Sequence, residues 1–131
     1  MMKIINLLLI LAIVLFSQSC ATPEKKLQDS SAKLLTQSEL MELFSIDRTA
    51  TFVLQKGYTA TAYYSKNGDQ KIKHSNGMDE GTYRIENGTF CSKWKKMRNG
   101  EEKCGRFYKI DENEYTSVSL DGRRSIKLIF N

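Results

Sequence analysis

Apolar and polar positions change rhythm twice along the chain. From Ile4 to Phe16 apolar residues run on, interrupted by Asn6 alone. At Leu40, Leu43 and Phe44 they recur three and four residues apart, the stripe of an amphipathic helix. From Asp47 onward they alternate with polar residues, the period of a strand with one wet face.

The helix has its own start signal. Thr36-Gln37-Ser38-Glu39 forms a capping box, with the Thr36 hydroxyl facing the Glu39 N–H and the Glu39 carboxylate facing the Thr36 N–H. Leu35 and Leu40 supply the hydrophobic staple. The pattern predicts a helix over Gln37 to Ser45, too short to stand alone in water. It has to dock on the strands that follow.

Those strands are punctuated at Lys56-Gly57, Asn67-Gly68, Asn76-Gly77, Asn87-Gly88, Asn99-Gly100, Asp111 to Asn113, and Asp121-Gly122, a spacing of roughly nine to thirteen residues. Asn-Gly and Asp-Gly supply the positive φ angles of tight hairpin turns. Strand-like segments lie at Thr49–Gln55, Tyr58–Ser65, Thr82–Glu86, Thr89–Lys95, Arg106–Ile110, Tyr115–Leu120 and Arg124–Phe130. Alternation sets Phe90 and Trp94 on one face and Cys91, Lys93 and Lys95 on the other. The fold class predicted is mainly β: a curved antiparallel meander or small barrel of about seven or eight strands, with one short N-terminal helix.

The first apolar run is different in kind. Lys3 precedes it, small and polar residues follow it, and it is short for a bilayer span. It reads as a signal peptide over residues 1–19; the competing reading is a retained membrane anchor. Phe16-Ser17-Gln18-Ser19-Cys20 resembles the bacterial lipoprotein box, with Ser17 where Leu is usual. That resemblance implies lipidation of Cys20 and a periplasmic domain anchored to the membrane. Cleavage after Ser19 or Ala21 would instead release a soluble periplasmic or secreted protein. Residues 20–35, polar and holding the lone Pro23, read as a tether, and residues 36–131 as one β-rich domain.

Composition fits that picture. The 131 residues are 40% hydrophobic and 27% charged, which suits one globular domain. A net charge of +5 favours anionic neighbours without identifying one. Three cysteines are an odd count for an exported protein. If Cys20 is taken by lipid or removed, Cys91 and Cys104 remain as a pair, and export favours a disulfide between them. Register constrains this. A tight hairpin centred on Asn99-Gly100 would leave the sulfurs on the order of 13 Å apart, too far to bond. A disulfide therefore requires a longer loop with its midpoint near Met97-Arg98, and is preferred over a tight hairpin with free thiols.

Catalytic chemistry finds little support. His74 is the one histidine, beside a turn, and a Ser–His–acid set would have to run through it. No phosphate-binding or nucleophile-elbow motif is present. Asp79-Glu80 and Glu101-Glu102 read as acidic pairs in loops, which a small envelope hydrolase could use as its carboxylates. Two cysteines and His74 are too few for a metal centre, and no cofactor is expected. Lys93, Lys95, Lys96 and Arg98 surround Trp94, but alternation puts the ring opposite Lys93 and Lys95, which argues against a nucleic-acid platform. Asn87-Gly88-Thr89 is a turn signal before it is a glycosylation site.

The segment Gly81-Thr82-Tyr83-Arg84-Ile85 to Cys91-Ser92-Lys93-Trp94, followed by Cys104, resembles a family of small exported bacterial proteins called domain of unknown function 995. Tyr83 stands where that family commonly has Trp. Leu35 to Leu40 is similar to its opening helix. The resemblance implies export and a Cys91–Cys104 pair, and brings no activity. The expectation is a non-enzymatic binding or interaction module of the cell envelope; the alternatives are a small envelope hydrolase using loop carboxylates and an inhibitory or structural partner of another envelope protein. Its partners would be the membrane, through Cys20, and either an envelope protein or a small apolar ligand. Tyr58, Tyr64, Phe90 and Trp94 would line a ligand site or fill their own core.

Overall fold

The computed structural model describes residues 21–131, so the signal-peptide and Cys20 readings fall outside the described residues. Two helices, α1 (Pro23–Gln28) and α2 (Gln37–Leu43), flank a two-residue strand β1 (Lys33–Leu34). Eight further strands follow: β2 (Arg48–Val53), β3 (Thr59–Tyr64), β4 (Asp69–His74), β5 (Gly77–Glu86), β6 (Thr89–Trp94), β7 (Lys103–Asp111), β8 (Glu114–Ser119) and β9 (Ser125–Phe130). Every pairing is antiparallel. Consecutive strands pair from β2 to β9, and β2 pairs with β9 to close the barrel.

β7 bridges a gap in that closure. Its first residues pair with β6 through Gly105, and Tyr108 and Lys109 pair with β1. The added strand takes over the hydrogen-bonding edge where β6 ends. Close approach is built in by Gly81 on β5, opposite Trp94: a Cβ there would lie 1.9 Å from the Lys93 carbonyl oxygen.

The capping box forms as predicted. Glu39 N donates to Thr36 Oγ1 and Thr36 N donates to Glu39 Oε1, each at 3.2 Å. The helix stops two residues short of the predicted Ser45, and Arg48 Nε donates to the freed Leu43 carbonyl at 2.7 Å. Leu40, Leu43 and Phe44 are buried. Phe44 is the plug: its ring centroid lies 4.8 Å from Phe90, 5.3 Å from Tyr64, 5.4 Å from Tyr83, and 5.9 Å from both Phe107 and Phe130. Aromatic pairs at these spacings contribute beyond their buried area.

Two expectations are corrected. The stretch read as a tether is folded from Thr22 onward. Glu24 receives both Arg106 Nε and Arg106 Nη2 at 2.7 Å and the Tyr108 hydroxyl at 3.0 Å. α1 thus lies against the outer face of β7 and the β8–β9 turn, where Tyr108 is buried. Its partners are 82 and 84 residues away in sequence, so local composition gave no sign of them. Tyr58 is the second correction. It is 65% exposed at the end of the β2–β3 turn, whereas Tyr64, Phe90 and Trp94 are core.

β4 lay outside the predicted segments. Asp-Gln-Lys-Ile-Lys-His is almost wholly polar, and Gln70 and Ile72 alone are buried.

Candidate functional site

The strands alternate in direction, so the barrel has two distinct ends. α2 plugs one, together with the β3–β4, β5–β6 and β7–β8 turns. The other is the N-terminal rim, made by the β2–β3, β4–β5, β6–β7 and β8–β9 turns. The chain joins the fold at this rim, where Glu24 N donates to the Gly122 carbonyl at 3.3 Å.

The cystine shapes the rim. Cys91 and Cys104 are bonded, and they stand directly opposite each other in the β6–β7 register. The connection runs from Lys95 to Glu102 with a 3-10 turn at Met97–Gly100, so the midpoint falls where register required it. Asn99 and Gly100 do have positive φ, 55° and 72°, but inside this longer loop. Asn87-Gly88, by contrast, is a two-residue hairpin turn with both φ angles positive. Cys91 is on the outer face as alternation predicts, yet it is buried between Arg84 and Cys104. Glu102 lies close to the two sulfurs. It is bound to Arg84, and the sulfurs are bound to each other, so no thiolate is free for a metal.

Asp79 and Glu80, read from sequence as loop acids, lie on strand β5, and Asp79 fixes the β6–β7 loop from inside. It is buried, and its carboxylate accepts from Glu80 N at 2.9 Å, Met97 N at 2.9 Å and Lys96 N at 3.1 Å. Burial pushes this carboxyl up. The three N–H groups outweigh that and hold it below the usual aspartate range. Lys95 Nζ, 2.6 Å from Glu80, likewise holds Glu80 low. A shallow cleft of about 260 Å³ lies between these groups and Lys71, Met78 and Lys96. A general acid needs a raised pKa, and both carboxylates in this cleft are shifted the other way.

The remaining candidates are dispersed. His74 sits at the β4–β5 turn, where its Nδ1 accepts from Asn76 N at 3.2 Å. Glu101 pairs with Lys103 and Glu102 with Arg84. Arg98 reaches back to Ser92, donating to its Oγ at 2.9 Å. Lys93 and Lys95 are exposed while Trp94 is core, as alternation predicts, and Lys96 is exposed in the loop beyond the strand.

A second cleft, about 320 Å³, opens near the plugged end between Asp47, Arg48, Tyr63, Tyr64, Asp69 and Gln70. Gln70 is buried; its Nε2 donates to Thr82 O at 2.9 Å, and its Oε1 has no partner. Sequence reasoning missed Asp79 and Gln70 as inward groups. The signal was there: Asp79 shares a strand face with Gly81, Tyr83 and Ile85, and Gln70 shares one with Ile72.

No protein-family model, curated protein or solved structure matches this chain.

Proposed function

We propose that this protein is an exported cell-envelope domain, held at the membrane by a lipid on Cys20, that acts by binding through its outer surface. The observation that carries the reading is the cysteine count. Cys91 and Cys104 bond to each other, which leaves Cys20 as the odd one of three, directly after an apolar run and a Ser-Gln-Ser segment. Of the rings meant to line a ligand site, Tyr64, Phe90 and Trp94 fill the core and Tyr58 is exposed, which favours a partner on the outside over a small apolar ligand within. Membrane and envelope protein are the partner classes; no cofactor or nucleic acid enters the reading. The runner-up, an envelope hydrolase using Asp79 and Glu80, would need one carboxyl to hold a proton near neutral pH, and both are held low.

Intact mass of the protein purified from membranes tests the reading. A diacyl adduct on an N-terminal Cys20 is the expected result. A mature chain without lipid, recovered from the soluble fraction, would overturn the anchor.

A further inference from the structure

We propose that the N-terminal rim of the barrel lies against the anionic headgroups of the membrane that holds the anchor, an orientation that rests on the lipidated reading above. The covalent reach is short. Thr22 already belongs to the fold: its Oγ1 accepts from Lys25 N at 3.2 Å and caps α1. One residue, Ala21, separates it from Cys20, and the two steps along the chain span at most ~7 Å. A lipid on Cys20 therefore holds this rim, and not the plugged end, within about one headgroup layer of the bilayer.

Charge is arranged to match. Lys56, Lys96, Arg98, Arg123 and Arg124 are exposed on the rim turns, and none forms an ion pair among the described residues. The carboxylates of the same rim are engaged. Glu80, Glu101 and Glu102 are paired with cations, Asp79 accepts backbone N–H groups, and Asp121 accepts Ser119 Oγ at 2.6 Å and Arg123 N at 3.0 Å. The plugged end has the opposite bias. Glu42, Asp47, Asp69, Asp111 and Glu112 are exposed there without ion pairs among the described residues, against Lys66 and Lys109 as exposed cations without one.

The rim also carries apolar side chains suited to a headgroup layer. Leu120, Tyr58 and Met78 are each more than half exposed, and tyrosine favours the boundary between water and lipid. A lipid chain with nearby basic residues is the two-signal combination that makes membrane attachment stable.

The test uses the mature protein from membranes, reconstituted into phosphatidylcholine vesicles with and without phosphatidylglycerol. A fluorophore is placed at Leu120→Cys or at Glu112→Cys, and quenching by aqueous acrylamide, an uncharged quencher, is measured. The expected result is several-fold weaker quenching at position 120 than at position 112 on phosphatidylglycerol vesicles, with the difference reduced by salt. Equal quenching at the two positions would overturn the orientation. Shielding that is the same on neutral vesicles would overturn recognition of anionic headgroups. Failure of the anchor itself is read separately, by mass and by loss of sedimentation with neutral vesicles. In that case the unlipidated protein is sedimented with phosphatidylglycerol vesicles. Binding weakened about tenfold or more by Arg123→Glu with Arg124→Glu supports the surface, and absence of binding overturns it.

Discussion

Glu24 and Arg106 meet side-on, with both carboxylate oxygens 2.7 Å from guanidinium nitrogens. This fork joins the start of the fold to the barrel wall, and both side chains are largely shielded from solvent. The Arg106 hydrogen bonds hold the Glu24 carboxyl below the usual range against the opposing effect of burial, with Tyr108 assisting. A depressed carboxyl pKa stabilises the folded arrangement above the ordinary glutamate range. That contribution is lost as the pH falls through the depressed value. Acid should therefore release residues 22–34 while the barrel persists, and Arg106→Ala should release them at neutral pH. Hydrogen exchange of this segment is the measurement; unchanged protection in Arg106→Ala would refute the fork's role.

Phe44→Ala should cost about 3–5 kcal/mol, because it empties the centre of an aromatic cluster that backbone closure prevents from collapsing. Phe44→Leu should lose less. Denaturant unfolding at neutral pH separates the two variants, and an equal loss would mean the cluster relaxes around either.

Removing the cystine with Cys91→Ser and Cys104→Ser together should cost about 3 kcal/mol by the loop-entropy argument. Thermal unfolding with and without reductant gives the same comparison on the unaltered chain. Thiol labelling of the unreduced protein should leave both cysteines unmodified.

Gly81→Ala tests strand approach. The new methyl would meet the Lys93 carbonyl oxygen, a backbone atom that cannot move aside without shifting β6. Overpacking of this kind costs typically about 1–3 kcal/mol. A neutral substitution would show that the β5–β6 pair has slack at this point.

What could be read from sequence was what is encoded locally. The capping box at Thr36, the two-residue turn at Asn87-Gly88 and the inward placement of Phe90 and Trp94 each depend on a few adjacent residues. β4 escaped because pairing on both sides, through β3 and β5, holds a strand whose own composition is polar. α1 escaped because its stabilising partners are on β7 and on the β8–β9 turn. Tyr108 gave the missed hint, since a large apolar residue on an outward face calls for a cover. On the rim, the cystine and its longer loop were legible through register. The Asp79 contacts were not, because they join a strand to a loop 17 and 18 residues later.

The pairing of β2 with β9 also bears on how the molecule is assembled. Every other seam from β2 to β9 joins neighbours along the chain, so those hairpins can form as their residues appear. The last seam joins Ala50 to Phe130, about 80 residues apart. A chain emerging N-terminus first must keep the free edge of β2 unpaired until residues 125–130 arrive. Folding should wait on that step, as it does where distant pairings dominate. Shortening β9 would leave β2 as an open strand edge, a template for association with other chains.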